Sequence, residues 1–138
     1  MSTEENKTLV KRFLAVVINR GDMDAAAAYC APSLAWHGGS VGEFDSLDAF
    51  KQGVAGFFTA FPDLRVDDPA LVAEGDKVVA HYSWRGTQKG EFFGVPATGK
   101  TVNVSGMSIY RIADGKIAEE WWIEDVLGLM QQLGASPA

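Results

Sequence analysis

The spacing of apolar residues changes about halfway along the chain, from a helical period to the period of a β-strand. In the first half, apolar residues recur every three or four positions over residues 9–18 and 47–61. This spacing predicts two amphipathic helices, each with one face toward a core. Ser2 and Glu5 have the spacing of a capping box at the start of the first helix, and Ser46 caps the other.

A shorter helix is predicted between these two. Asp22 is a natural N-cap, and residues 22–29 would form a helical hairpin with the first helix, which Gly21 can end. A last helix is predicted over residues 125–133. Gly134 closes it, and the tail beyond is expected to be loose.

Strands are predicted in the second half from alternating and β-branched residues and from the turns between them. Asp114-Gly115 is the strongest hairpin signal in the chain. Pro69 marks a bulge or an edge. The predicted strands, including one short strand before the third helix, span residues 34–37, 64–73, 77–88, 100–112 and 116–124.

The order of these elements predicts the fold class. Helices come first and antiparallel strands follow, which is typical of an α+β protein with helices on one face of a curved sheet. A strongly bent sheet that is covered by a helix leaves a blind pocket, where ligand sites often form. We predict one domain over residues 1–138, with an ordered core from about residue 3 to about residue 134.

Composition and charge argue against several classes of protein. The formal net charge of −6 and the scattering of the 12 basic residues argue against a nucleic-acid partner. No apolar stretch reaches the ~18 residues of a membrane-spanning helix. No secretion signal is visible, so we expect a cytoplasmic protein with no membrane partner. The single cysteine, Cys30, excludes an internal disulfide; a buried small residue is the preferred interpretation, and a reactive thiol is the alternative.

Four segments of the sequence resemble one known family. Residues 86–100, GTQKGEFFGVPATGK, are similar to the pattern G-T-H-x-G-x-F-x-G-x-P-x-T-G-K of SnoaL-like polyketide cyclases. Residues 110–121 resemble the family's R-I-x-D-G-K-I-x-E-x-W. Residues 61–64 and an ending with Asp125 and Gln132-Leu133-Gly134 complete the likeness, which extends over nearly the whole chain.

The resemblance implies a fold, a reaction and an assembly. The fold is a cone-shaped α+β barrel of the nuclear transport factor 2-like type, with a strongly curved, mostly antiparallel sheet and N-terminal helices packed on it. Cyclases of this family close a ring by an intramolecular aldol reaction, with an aspartate as general acid/base and neither a metal nor an organic cofactor. The resemblance also implies a homodimer formed through the open face of the sheet.

This chain departs from the family at the positions that carry the chemistry. The position of the cyclase aspartate, three residues before Asp125, is occupied by Trp122. Histidine positions of the family align with Glu120, Ser108 and Gln88. An indole does not exchange a proton at neutral pH, so Trp122 cannot replace the aspartate.

Three residues are candidates for acid/base chemistry. Strand alternation places Glu120 beside Trp122, and the resemblance directs both toward the pocket, where desolvation would raise the pKa of the carboxyl; the alternative is a solvated or ion-paired glutamate. Asp125 could reach the mouth of the pocket or simply cap the last helix. His37 could line the pocket, whereas His81 is more typical of a structural strand histidine. Two histidines with no nearby carboxylate triplet make a weak metal site, so no metal ligands are predicted.

Aromatic residues are the candidates for substrate binding. A pocket for a small apolar or aromatic molecule is one interpretation, and a well-filled core without a cavity is the other. The candidate substrate-binding residues, which include the polar Gln88 and Ser108, are Trp36, Tyr82, Trp84, Gln88, Ser108, Tyr110 and Trp122.

Two functions therefore stay open. The first is a cofactor-independent cyclase, lyase, isomerase or hydrolase that acts on a small apolar molecule with a carbonyl group. The second is a binding protein that keeps the pocket and has lost the catalytic aspartate.

Overall fold

The structure is a computed structural model that describes residues 1–135. This part of the chain contains six strands, one of them only two residues long, and three α-helices. The predicted loose tail at 136–138 lies outside the described residues. The helices are α1 (Thr3–Phe13), α2 (Leu47–Ala60) and α3 (Val126–Gln132). The strands are β1 (Cys30–Gly38), β2 (Arg65–Val66), β3 (Ala70–Glu74), β4 (Lys77–Thr87), β5 (Thr101–Ala113) and β6 (Lys116–Glu124).

The six strands form one sheet in the order β1-β6-β5-β4-β2, and β3 also pairs with β4. The pairs are antiparallel except for β1 and β6, which are parallel. The sheet stays open between β1 and β2, and the helices pack on its inner face, where alternate strand residues are buried. The predicted α+β class with a curved, cone-like sheet is confirmed.

The first predicted helix changes its winding in the middle. α1 begins with the predicted capping box, in which Ser2 Oγ accepts from the Glu5 amide and Glu5 accepts from the Ser2 amide. After Phe13 the chain continues as a π-helix over Leu14–Asn19. A π-helical turn is wider than an α-helical one, and short π segments are often found at functional sites. Apolar spacing alone does not reveal it.

Asn19 attaches the end of this π-helix to the edge of the sheet. Its Oδ1 accepts a hydrogen bond from the Val66 amide at 2.7 Å, and its Nδ2 donates to the Val66 carbonyl at 3.0 Å. The side chain therefore pairs with the two-residue strand β2 as a neighbouring strand would. The next helical segment is a 3₁₀-helix over Met23–Ala28, which Asp22 caps as predicted.

Two strand predictions differ from the structure. The segment predicted as a strand at 34–37 is the end of the longer strand β1, which begins at Cys30. The single strand predicted over 64–73 is two strands, β2 and β3, and Pro69 lies in the break between them. The loss of a donor at proline explains why pairing with β4 is interrupted there.

The last part of the chain agrees closely with its predicted elements. β6 has the predicted bounds, and Asp114 and Gly115 adopt the positive φ values, 51° and 74°, of a tight hairpin turn. α3 follows the N-cap Asp125. None of the helices in the described part is both long and apolar enough to cross a membrane.

Candidate functional site

A small apolar cavity lies between the inner face of the sheet and the helical layer, with a volume of about 50 Å³. Strand residues form one wall, which includes Trp36, Tyr82, Trp84, Tyr110, Glu120 and Trp122. The opposite wall comes from the helical layer and includes Phe13, Leu14, Ile18, Val54 and Phe57. A single water needs roughly 10–15 Å³ by this type of measure, so the cavity in this conformation suits only a small ligand of a few non-hydrogen atoms.

Six predicted site residues thus meet at one place. They come from four strands, because β1, β6, β5 and β4 are neighbours and their alternate residues face inward. Among the described residues, Glu120 contributes the only carboxyl group to the cavity lining. No lysine, arginine or histidine of residues 1–135 contributes to it. The cavity is therefore an apolar chamber with one carboxyl group.

Glu120 is almost completely buried, with 1% of its surface exposed. It lies opposite Tyr110 in the register of β5 and β6, and its Oε1 has no hydrogen-bond partner among the described residues. Burial raises the pKa of Glu120 well above its usual value, although the nearby hydroxyls of Ser108 and Tyr110 act in the opposite direction. The carboxylic acid form therefore persists to a higher pH than in an exposed glutamate.

Two tyrosines and a serine surround this carboxyl group. The hydroxyls of Tyr82 and Ser108 form a hydrogen bond of 2.9 Å, and the buried hydroxyl of Tyr110 lies close to Ser108 and to the Glu120 carboxyl. Burial raises the pKa of both tyrosines, so they stay neutral and can donate. A buried polar group left without a partner costs about 1–3 kcal/mol. The nearby hydroxyls of Tyr110 and Ser108 reduce this cost for the Glu120 carboxyl.

Trp122 occupies the space beside Glu120, and the backbone around it is adapted to the indole. Its ring contacts Trp36 edge-on with centroids 5.8 Å apart. Gly39 has a φ of 68°, and a Cβ at this position would overlap the six-membered ring of Trp122. Only glycine combines this conformation with such close approach, so the indole is an integral part of the wall.

The segment between β1 and α2 covers Trp122 and is attached to β6. Glu124 Oε2 accepts hydrogen bonds from the Ser40 amide at 2.9 Å and from the Ser40 hydroxyl at 2.8 Å. The next residue, Val41, lines the cavity. Burial raises the pKa of Glu124, and the two hydrogen bonds from Ser40 oppose that shift. Sequence reasoning did not identify Ser40, because a Gly-rich segment gives no signal for a contact 84 positions away.

His37 does not reach the cavity, contrary to its predicted catalytic role. It lies on the outer face of the sheet, stacked on Trp121 with ring centroids 5.6 Å apart. Its Nδ1 and Nε2 each lie 2.7 Å from a carboxylate oxygen, of Glu43 and Glu119 respectively. These two carboxylates raise the pKa of His37. The alternation that turns Trp36 inward necessarily turns His37 outward.

Three further candidates also lie outside the cavity lining. Asp125 Oδ1 accepts from the Gly128 amide at 2.8 Å, so the residue caps α3, as the structural alternative predicted. Gln88 is buried but organises the loop after β4, where its Oε1 accepts from the Thr98 amide and hydroxyl and its Nε2 donates to the Val95 carbonyl. Ser108 lies behind the lining and contacts it through Tyr82.

The remaining candidate groups are structural or absent from the site. His81 is exposed on the outer face, opposite Met107. Burial raises the pKa of the Cys30 thiol to about 12, in agreement with a structural rather than a reactive cysteine. Within residues 1–135, no group of three or more His, Cys, Asp or Glu side chains could hold a metal ion.

Comparison with known proteins identifies the family. The sequence profile of SnoaL-like polyketide cyclases matches residues 8–133. The chain belongs to the SnoaL-like polyketide cyclase family. A search of curated proteins finds no match.

Solved structures of SnoaL-like proteins agree with this assignment. The chain is similar to AclR, a candidate hydroxylase of Streptomyces galilaeus, with 31% identity and a TM-score of 0.84 over 99% of this chain and 85% of that one. It is 32% identical to a candidate polyketide cyclase of Acidithiobacillus ferrooxidans, with a TM-score of 0.84 over 97% and 98% of the two chains. A SnoaL-like protein of Jannaschia sp. CCS1 has 27% identity and a TM-score of 0.87 over 98% and 95%.

The helical wall of this SnoaL-like cavity was not identified from the sequence. Leu14, Ile18 and Val54 line it, but their apolar spacing is the same as that of residues packed without a cavity. Leu14 and Ile18 lie in the π-helix, which no local sequence signal marks and which is recognised only in three dimensions. Chemically, the site can bind an apolar molecule and offer it one carboxylic acid and one phenol.

Proposed function

We propose that this SnoaL-like protein binds a small apolar molecule with a carbonyl group and transfers a proton to or from it through Glu120, without a cofactor. The observation that carries the proposal is the isolated carboxyl of Glu120 in an apolar cavity. Desolvation of a carboxyl group brings its pKa nearer to the range in which general acid/base catalysis is efficient.

The names of similar proteins include both a candidate hydroxylase and a candidate polyketide cyclase, so the reaction class is argued from the site. By the resemblance, Trp122 takes the position of the cyclase aspartate, and Glu120, two residues earlier on the same strand face, is a carboxyl in the cavity lining. The proposal assigns the acid/base role to Glu120 and the contact with a small apolar substrate to Trp122. Cyclisation, isomerisation and hydrolysis of a carbonyl compound all require such a group.

The test is proton exchange at the α carbon of cyclopentanone, a small apolar ketone, in D₂O. In this step the Glu120 carboxylate takes up the α proton, the electrons of the C–H bond form the enolate, and the carboxyl group exchanges its proton for a deuteron of the solvent. Return of that deuteron to the α carbon forms the C–D bond and restores the carboxylate, which proton NMR records as loss of signal. We expect exchange above the buffer rate, and we expect Glu120→Gln to lower the protein-dependent rate at least ~100-fold. Glu119→Gln, the adjacent glutamate on the outer face, is the matched control and should exchange as the wild type does.

A second function, binding without catalysis, is favoured by a different observation. The cavity is small, Trp122 fills part of it, and its lining offers no second acid or base beside Glu120. Cyclopentanone that quenches tryptophan fluorescence on binding but shows no exchange above buffer would support this function and contradict the catalytic one. Trp36, Trp84 and Trp122 line the cavity and supply the signal.

A further inference from the structure

Trp122 lies between the cavity and the segment that follows β1. Its side chain is part of the cavity lining, two positions from Glu120 on the same face of β6, and only 9% of the residue is exposed. The space that the indole fills is therefore continuous with the cavity. The size of this one side chain sets a limit to the size of the molecule that can reach Glu120.

The indole is enclosed on several sides and cannot easily move away. Trp36 and Phe57 contact it edge-on, with ring centroids 5.8 Å and 6.1 Å from its own. The backbone of Gly39 covers another side so closely that a Cβ there would overlap the ring. A Cβ on Gly106 of β5 would lie 3.4 Å from the indole nitrogen. A ligand would have to displace other rings or backbone to move this indole, which close packing opposes.

The composition of the cavity lining also limits the ligand. Of the side chains of residues 1–135 that line the cavity, only Glu120, Tyr82 and Tyr110 carry an oxygen atom. A multi-ring polyketide carries oxygen atoms at many positions, and most of them would be buried here without a hydrogen-bond partner. Burial of unpaired polar groups is costly, so the lining suits a molecule with a single carbonyl group.

We propose that Trp122 determines the size of the ligand: the indole excludes molecules with two or more fused rings and restricts the site to an apolar carbonyl compound with one small ring or a short chain. This inference rests on the proposed function and narrows its substrate class. It separates this chain from the multi-ring polyketides that the family name suggests.

The experiment compares cyclopentanone with 1-indanone, which is the same ketone ring fused to a benzene ring. Isothermal titration calorimetry gives the two dissociation constants for each protein. The larger ketone is more apolar and would bind more tightly in an open apolar site. In the wild type we expect the reverse, with cyclopentanone bound at least about tenfold more tightly than 1-indanone.

Trp122→Ala should open the site to the larger ketone. Dry cavities that are left by the loss of a large apolar side chain bind aromatic molecules, and the benzene ring of 1-indanone would occupy the place of the indole. We expect this variant to bind 1-indanone at least about tenfold more tightly than the wild type does.

Two further variants accompany this comparison. Trp121→Ala removes the adjacent indole, which stacks on His37 on the outer face, and should keep the wild-type preference for cyclopentanone. Trp122→Leu leaves more of the space filled than alanine does and replaces Trp122→Ala if that variant does not fold. It should gain affinity for 1-indanone by a smaller factor, about threefold.

Two results would overturn the inference. One is a wild type that binds 1-indanone as tightly as cyclopentanone, and the other is a folded Trp122 variant that gains no affinity for 1-indanone. Proton exchange decides the proposed catalysis separately, because the size limit is measured by binding alone. Binding of 1-indanone to Trp122→Ala with no ligand bound by the wild type would support exclusion by Trp122 and contradict the proposed function. Failure of every protein to bind either ketone would overturn both proposals.

Discussion

Glu119 and Glu120 are adjacent in the sequence and lie on opposite faces of β6. On the outer face, hydrogen bonds from His37 and Arg111 lower the pKa of Glu119. On the inner face, burial without a cationic partner raises the pKa of Glu120. One peptide bond separates two carboxyl groups with opposite shifts, so the environment on each side of the sheet, rather than residue type, determines their chemistry.

The two faces differ as strongly in their apolar residues. The inner face is closed by the helical layer, and its aromatic residues contact one another. The outer face carries apolar side chains in the open, among them Ile109, Met107 and Ile123, the last with 74% of its surface exposed. The register places these residues side by side across β5 and β6. A contiguous exposed apolar surface is typical of an interaction site, and a homodimer through this face stays our proposal.

The largest effect is expected from truncating one residue on each face. Trp122→Ala should lower the free energy of unfolding by about 3–5 kcal/mol, because it leaves a large cavity in packed surroundings. Ile123→Ala, the next residue and mostly exposed, should cost less than about 0.5 kcal/mol. Urea denaturation of both variants, compared in the same oligomeric state, provides the measurement. Similar losses for the two would contradict the difference between the faces.

A charge on the outer face should test the proposed dimer. Ile109 lies between Val79 and Trp121 in the row that crosses the sheet. Ile109→Lys should weaken dimerisation by about 2 kcal/mol, or roughly 30-fold in the dissociation constant, as expected for a central interface residue. Sedimentation equilibrium measures this change. Thr8→Lys adds the same charge on an exposed position of α1 and should not alter assembly. A wild-type protein that stays monomeric at all concentrations would refute the dimer.

The opposite pKa shifts should appear as opposite pH effects of two conservative variants. The raised pKa of Glu120 means that the unfolded state ionises first as the pH rises, so the wild type loses stability relative to Glu120→Gln above the unfolded pKa. The lowered pKa of Glu119 stabilises the fold above its unfolded pKa and the benefit is lost in acid, so Glu119→Gln should be less stable than the wild type at neutral pH, by up to about 1 kcal/mol.

Denaturation between pH 4 and pH 8 measures both differences. Each should diminish toward the acid end, where the unfolded state becomes protonated, and the Glu119 difference disappears completely only below the lowered pKa of the folded state. The same sign for both variants at neutral pH would be incompatible with the environments described for the two faces.

The smallest effect is expected at His37. The residue is partly exposed, with 36% of its side-chain surface accessible, and exposed ion pairs contribute little. His37→Gln should cost less than about 1 kcal/mol and should not change the affinity for cyclopentanone. Loss of ligand binding in this variant would show that the outer face communicates with the cavity.

Much of the fold could be predicted because its signals are local. The hairpin at Asp114 and Gly115, the caps at Ser46 and Asp125 and the bounds of β6 depend on residues a few positions apart. The start of β1 was missed because a parallel pairing with β6 connects residues more than 80 positions apart. The π-helix was missed because Asn19 stabilises the end of it through a contact with β2.

The candidate site was predictable in one respect and not in another. Strand alternation correctly grouped Glu120 and Trp122 on one face. It did not determine that the side chain of Gln88 would form its hydrogen bonds within the loop after β4. A position in a family motif does not show where its side chain points. The orientation of a loop residue depends on the hydrogen bonds available after folding, which local patterns do not contain.

The sequence by itself determined the α+β class, the family and the alternation that separates Glu119 from Glu120, because these follow from short-range periodicity and motif spacing. Only the tertiary structure decided that the carboxyl of Glu120 is isolated in a small apolar cavity with Tyr110, while His37 is ion-paired on the opposite face. The physical reason is that solvation and pairing of a side chain depend on residues brought together from distant parts of the chain.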